Sequence, residues 1–552
     1  VKKGRERRLF STLSLFLAFV AWSLILTFPL ILHPFNTLPL GDESVGTVPF
    51  FNLWTLQWNI DQLTNGYPNY WDAPIFAPNA GAFAFSEIQP LTALLAAPIW
   101  LATQSPTLAY NFVVILFLTL NGWFACWLLR SWGVTPLPAL LGGLLMQSLP
   151  FVTQEMGVLQ LIALFGFLWW LLFMGRLLTR TTWRNTLGFG LGGPVTFLTC
   201  GYYGLFSLIF LPLALLFQIE KKYLTRRLAT HFAAGLLITL VLTGPVLWGQ
   251  YRQLQQYGFT RPEQTIENNS ARLADYLNFL DYNVWYGRTL GLASKPGQRL
   301  FPGLVLIILA GVGLAGRGPQ RVKAYLVVAT ILALLLSLGL RLRMGDLQPY
   351  QWVRAYLPGF EQLRSPFRLA AFVQIHLALL AGFGLWNLER WGSKWAERGQ
   401  LIIVPITIAA LIEMVALPLP LEPLPPLPTA AAWQNWLNQQ DDQPEIVMLP
   451  FAASPGVVDF EPTTIWMLEN RTFQGRMVNG YSGFFPPGHA PLREEMSRFP
   501  TDAGLDMLRE LGVDYIVVHN LLLDRKSKEK IENLLPLIYH DQRNNISIYT
   551  LN

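Results

Sequence analysis

The chain has 552 residues, of which 52% are hydrophobic and only 13% charged, and its mean hydropathy is +0.35. Soluble domains carry roughly 25% charged residues, so a wholly soluble protein is excluded and most of the chain reads as lipid-embedded. The formal net charge of +6 is spread over clusters separated by apolar stretches, which argues against a nucleic-acid surface and for membrane lipid as a partner.

In chain order, the first apolar run covers 9–32. It is longer than the core of a signal peptide and no small-residue cleavage site follows it, so it reads as a retained span. Directly behind it, Gly41-Asp42-Glu43 puts two adjacent carboxylates at the head of a long loop, 33–105. Within that loop, 48–63 carries Phe50, Phe51, Leu53, Trp54, Leu56, Trp58 and Ile60, the pattern of a helix lying in the membrane interface. The stretch 90–102 is short for the ~20 residues a crossing needs and reads as a juxtamembrane helix. Further spans are expected at 107–129, 135–152, 157–178, 185–200, 202–219, 228–249, 300–316, 323–340, 366–388 and 400–418, about eleven in all with the first.

Basic clusters fix an orientation. Lys2-Lys3-Arg5-Arg7-Arg8, Arg176-Arg180-Arg184, Lys221-Lys222-Arg226-Arg227, Arg317-Arg321-Lys323 and Arg390-Lys394-Arg398 all fall in short loops or at ends. Placed inside by the positive-inside rule, they put the N-terminus in the cytoplasm and the loop 33–105 outside. Cys126 and Cys200, the only cysteines, lie within spans. They are too few for a disulfide framework, no His/Cys/Asp set has metal-ligand spacing, and neither a metal nor another cofactor is expected.

Beyond the proline-dense segment 417–426 the composition becomes that of a soluble domain. Helices are expected at 430–440, 502–511 and 526–535, and strands at 445–449, 515–518 and 546–551. The expected fold is a polytopic α-helical membrane protein, 1–418, with a small external α/β domain, 419–552. That domain has no glycine-rich phosphate fingerprint.

Several motifs carry a resemblance. They are Gly41-Asp42, Asn52-Leu53-Trp54, Phe76-Ala77-Pro78, Leu357-Pro358-Gly359-Phe360, Leu363-Arg364-Ser365-Pro366-Phe367-Arg368 and Asn479-Gly480-Tyr481-Ser482-Gly483. With the acidic loop behind the first span and the trailing domain, the chain resembles the GT-C superfamily of membrane glycosyltransferases, and within it the bacterial YfhO-like membrane proteins. The resemblance implies a multi-pass protein of the bacterial cytoplasmic membrane. It implies inverting transfer of a sugar from a polyprenyl-phosphate donor to a cell-envelope acceptor on the external face.

It also implies that an acid of the first external loop serves as general base, and Asp42 stands in the matching place, with Glu43 beside it. Glu155, in the next external turn, matches a second acid that can face the first. Many members carry a further Asp about four residues after the first; here Gly46 and Thr47 stand in that region. This departure keeps open a non-catalytic scaffold or assembly partner, and a lipid-linked sugar transporter is a third reading. Independently of the resemblance, a carboxylate can take the proton of an attacking hydroxyl. Arg364 and Arg368, four apart, are expected on one helix face at the outer end of a span, against the positive-inside trend, where guanidinium forks can hold a donor phosphate. Arg341 and Arg343 can join them. Glu87, Tyr202 and Tyr203 are weaker candidates for lining the substrate cavity. His33 is a weaker candidate still, and His376 reads as a neutral histidine facing a neighbouring helix.

Overall fold

The computed structural model describes residues 12–345, 347–396, 399–427, 431–440 and 443–551. The basic cluster at residues 2–8, the start of the first expected span and Arg398 lie outside the described residues. Among the described residues, seven helices are long and apolar enough to cross a membrane: Pro106–Ser131, Pro136–Gln154, Leu159–Thr179, Gly201–Gln218, Arg226–Tyr257, Gln320–Ser337 and Pro366–Gly392. Shorter apolar helices are Thr12–Leu26, Pro90–Thr103, Leu304–Ala315 and Gln400–Met414. The expected span at 185–200 is a 15-residue helix, Trp183–Phe197, dense in glycine and carrying Pro194 inside it.

The chain divides into two compact units. The first comprises 1–42, 98–247 and 260–421; the second comprises 43–97, 248–259 and 422–552. The loop 33–105, expected within 1–418, is therefore split, and most of it belongs with the C-terminal segment. Backbone hydrogen bonding explains this grouping. Ala77 N–H donates to Met477 O at 2.8 Å, Met477 N–H to Pro74 O at 3.1 Å, and Phe484 N–H to Phe85 O at 2.8 Å. Arg471 adds a two-pronged pair to Asp61 at 2.6 and 2.9 Å.

In the first unit, tight helix pairs rest on glycine. A Cβ on Gly313 would stand 2.0 Å from Leu380 O, and one on Gly384 would stand 2.0 Å from Leu309 O. The helices Leu304–Ala315 and Ala370–Ala396 therefore touch backbone to backbone, the packing that apolar helices use where lipid supplies no hydrophobic drive. Buried polar groups are paired between helices, as where Gln147 Nε2 donates to Ser23 Oγ at 2.9 Å. His376 is fully buried, with its Nε2 3.2 Å from the Tyr325 hydroxyl and its ring among Phe167, Phe210 and Phe372.

The second unit holds a five-stranded mixed sheet, with β1 at Glu445–Leu449, β2 at Arg476–Met477, β3 at Tyr515–His519, β4 at Leu537–Asp541 and β5 at Ile546–Thr550. Its order is β2-β1-β3-β5-β4. β1 pairs in parallel with β2 and β3, and β5 pairs antiparallel with β3 and β4. β1 and β3 are apolar almost throughout, as strands covered on both faces are. The helix Asp502–Glu510 is capped by Thr501, whose hydroxyl accepts from Gly504 N–H. Gly512, at φ +75°, ends that turn. The segment expected to lie in the membrane interface is the helix Thr47–Asn65, and it is buried nearly all round. Trp54 and Trp58 stack on each other and meet Phe83, and Phe51 meets Tyr481 edge-on. Some of its polar positions are paired inside the unit, Gln89 Nε2 donating to Asn52 Oδ1 at 2.7 Å, while the Oε1 atoms of Gln57 and Gln62 have no partner among the described residues. Two of the sequence motifs meet here: Phe76 lies on Gly480, where a Cβ would come within 2.7 Å of its ring.

Candidate functional site

The first unit gathers acids, amides and arginines at one set of helix ends. Gly41-Asp42 docks by its backbone on the turn that follows the helix Pro150–Gln154. Asp42 N–H donates to Gln154 O at 2.9 Å. Gly41 sits at φ +64°, and a Cβ there would lie 2.6 Å from Gln154 O and 2.8 Å from Met156 N. Only glycine meets both conditions, so the Gly-Asp order is what places the carboxylate here.

Asp42 pairs with Arg299 at 3.0 Å, its side chain 30% exposed. Burial pushes its pKa up from 3.8 to about 6; Arg299 pulls it down, and Glu155 and Asp281 push it up. Tyr282, whose hydroxyl donates to Gly41 O at 3.1 Å, holds the same turn.

Glu155 caps the end of the helix Pro150–Gln154 and is only 7% exposed. Burial raises its pKa, opposed by Arg368, by the Gln154 amide and by Arg364. Gln154 ties the acids to the loop that carries Arg299. Its Nε2 donates to Glu155 Oε1 at 2.7 Å and its Oε1 accepts from Arg299 N–H at 2.7 Å. Gln374, buried in the helix Ala370–Ala396, clamps the same two segments. It accepts from Phe151 N–H at 3.0 Å and donates to Leu300 O at 3.0 Å.

The arginines approach from the other flank. Arg368 is 8% exposed and its guanidinium lies 4.5 Å over the Tyr202 ring. The Tyr202 hydroxyl accepts from Arg364 N–H at 3.3 Å. Arg261 stands close to both arginines, and burial together with their charge lowers its pKa to about 10. Its Nε donates to Gln362 O at 3.2 Å, and Arg354 donates to its carbonyl at 2.7 Å. Tyr350, next to Tyr202, is 1% exposed, and its hydroxyl has no partner among the described residues.

The expected helical alignment of Arg364 and Arg368 is not what brings them together. Ser365 is non-helical, with φ −125° and ψ 78°, and the helical turn begins at Pro366. A residue before proline is pushed out of the α region, so Arg364 lies ahead of the helix. The two converge through Tyr202 instead.

The other sequence candidates separate. Tyr203 points into packing: its hydroxyl donates to Leu161 O and its ring meets Phe372. Arg341 Nε donates to Ser270 O at 3.2 Å, and Arg343 is exposed on the turn where Met344 pairs with Leu347. Neither is tied by any described contact to the Arg364–Arg368 pair. Glu43 and Glu87 belong to the second unit. Sequence reasoning missed Arg299, Arg261, Gln154 and Gln374. The argument that singled out Arg364, cations against the positive-inside trend, applies equally to Arg261 and Arg299; nothing in the pattern marks the two glutamines. Among the described residues, no group of three His, Cys, Asp or Glu side chains could hold a metal ion.

No protein-family model matches the chain, and no curated protein matches it. Among solved structures, the chain is similar to the mycobacterial arabinofuranosyltransferase AftD. One cryo-EM class of that protein gives a TM-score of 0.59 at 14% identity, and another gives 0.57 at 16% identity. Both cover 98% of this chain and 42% of AftD, so the chain spans about two fifths of that protein's length. The apo crystal structure of the Archaeoglobus fulgidus oligosaccharyltransferase is similar over 92% of this chain and 69% of that one, with a TM-score of 0.51 and 13% identity. These neighbours are GT-C fold glycosyltransferases, and the chain shares their fold, with helices long and apolar enough to cross a membrane.

Proposed function

We propose that the protein is an inverting membrane glycosyltransferase that moves a sugar from a polyprenyl-phosphate donor to a hydroxyl of a cell-envelope acceptor. One observation carries the reading: the buried Glu155 lies within electrostatic reach of Asp42 on one side and of Arg368 and Arg364 on the other, at one set of helix ends in a chain with a GT-C fold. The acceptor oxygen attacks the anomeric carbon while its proton passes to the Asp42 carboxylate. The bond from that carbon to the phosphate oxygen breaks, and the polyprenyl phosphate leaves with the electron pair. Arg364, Arg368 and Arg261 meet the negative charge that grows on the phosphate, where fixed cations count most. Glu155, buried and facing those arginines, keeps the cluster oriented before the donor arrives. In this reading the chain is of the YfhO-like group in the bacterial cytoplasmic membrane, with the N-terminus inside and residues 419–552 outside.

The Asp42→Asn variant tests the base. The backbone bond to Gln154 survives the change, so folding should be kept. General base assistance contributes roughly 10²–10⁴-fold, and transfer should fall by that factor. Mass spectrometry of polyprenyl-linked sugars in a deletion strain should show a donor accumulating, cleared by the native protein and not by the variant. Clearance by both would move the base to Glu43 or Glu155, or the reading to the scaffold alternative, which the absence of a second acid at Gly46-Thr47 favours.

A further inference from the structure

At the helix ends opposite the acids, the first unit has a cavity of about 380 Å³. Its wall includes Trp132, Arg176, Gln218, Glu220, Tyr223 and Arg321. The helix Gly201–Gln218 starts beside Tyr202 and ends at the cavity, a run of ~27 Å at 1.5 Å per residue. The proposed reaction makes no use of this end.

We propose that this cavity binds a phosphate group, that of an anionic phospholipid in the leaflet on this side. Charge is the first argument. Arg176 and Arg321 share the cavity wall with one acid, Glu220, which is already paired with Lys222 at 2.6 Å and lies within reach of Arg321. Three cations against one carboxylate leave the cavity cationic. Geometry is the second. Arg176 is held over Trp127 and Phe173, its guanidinium 5.2 and 5.3 Å from the ring centroids, so its fork is pre-set rather than floppy. Gln218 Nε2 is a buried donor with no hydrogen-bond partner among the described residues. Arg321 is anchored by one nitrogen on Ile219 O at 2.9 Å, which leaves other donors of its fork for a ligand.

The surroundings select a lipid over a solute. Leu216, two residues before Gln218, is 71% exposed, and Leu224 is 64% exposed. An acyl chain lying beside the cavity would cover them. The volume falls within the ~300–1,000 Å³ range of small-molecule pockets. Basic loop residues gather at this end, the feature that attracts anionic lipid on the cytoplasmic face.

The test uses the full-length protein in phosphatidylcholine nanodiscs. Native mass spectrometry should show phosphatidylglycerol retained over phosphatidylcholine, with retention falling about tenfold in Arg321→Gln and further in Arg176→Gln. Arg321 is exposed, so its variant should fold, and an unchanged melting temperature would verify this. Calorimetry with inorganic phosphate separates the sources. Binding of free phosphate that the same variants remove would keep the phosphate site and assign it a soluble ligand. Equal retention of the two lipids with no phosphate binding, or binding that Arg321→Gln leaves unchanged, would overturn the proposal.

Discussion

The two ends of the first unit's helices both collect arginines, yet they hold them differently. At the Tyr202 end, Arg368 is nearly buried, Arg261 is crowded by its neighbours, and the buried Glu155 carboxylate faces Arg368 and Arg364. At the Gln218 end, Arg321 is exposed and the single cavity acid is paired with a lysine. Bringing three guanidinium groups together under partial burial costs electrostatic energy, and that cost is tolerated where acids and an aromatic face offset it. Exposed cations at a membrane surface need no such offset. What sets the Tyr202 end apart is therefore not its number of arginines but their burial against an opposing acid.

A matched pair of substitutions should separate the two ends most strongly. Arg368→Gln should lower transfer by about 10²–10³-fold, the usual loss when a fixed donor to developing charge is removed. Arg321→Gln should leave transfer within about twofold, since it lies some ~27 Å of helix away. Purified protein assayed by release of polyprenyl phosphate measures both. Equal losses would mean that the two ends are not functionally distinct.

Gly41→Ala attacks the same end through the backbone. The added Cβ meets Gln154 O and Met156 N, and φ +64° is itself unfavourable for alanine. The left-handed conformation costs roughly 1–2 kcal/mol, and relieving the contact must displace Asp42 from Gln154. Thermal unfolding should fall by several degrees, and transfer should fall about tenfold or more. A variant as stable and active as the native protein would show that the docking of Gly41-Asp42 does not matter.

Parts of this were legible in the chain. The apolar runs announced most of the helices because burial in lipid demands long uninterrupted apolar sequence. Asp42, Glu155, Tyr202, Arg364 and Arg368 were named as polar residues just beyond spans; Tyr202 contacts Arg364 and Arg368, and Glu155 lies within reach of those arginines and of Asp42. What was not legible was local geometry. The spacing of Arg364 and Arg368 was read as helical, but Pro366 holds Ser365 out of the helix. Tyr202 and Tyr203 looked equivalent, yet adjacent helical positions point about 100° apart, and only one reaches the arginines. Gln154 and Gln374 act through tertiary hydrogen bonds between segments far apart in sequence, which no local pattern reports. The pairing of residues 74–85 with the C-terminal sheet was hidden for the same reason, since backbone hydrogen bonds leave no signature in side-chain type.

The smallest effect should come from Arg299, which acts on a single proton. Asp42 has a pKa raised to about 6, chiefly by burial, and Arg299 is the one group among the stated causes that opposes the rise. A base must be ionised to work, so transfer should climb with pH through about 6 and level above it. The linkage sign follows from the same shift. The folded state binds this proton more tightly than the unfolded chain, whose value lies near 3.8. The stabilising contribution is therefore present below that value and lost as pH rises through about 6. Arg299→Gln removes the opposing charge, so the acid limb of the rate profile should move to higher pH. The plateau above it should change little, since Gln154 still holds the backbone of residue 299. At the other end of the helices, Arg321→Gln should leave the limb where it was. A limb that stays in place in Arg299→Gln would mean that Asp42 is not the group titrating in the profile.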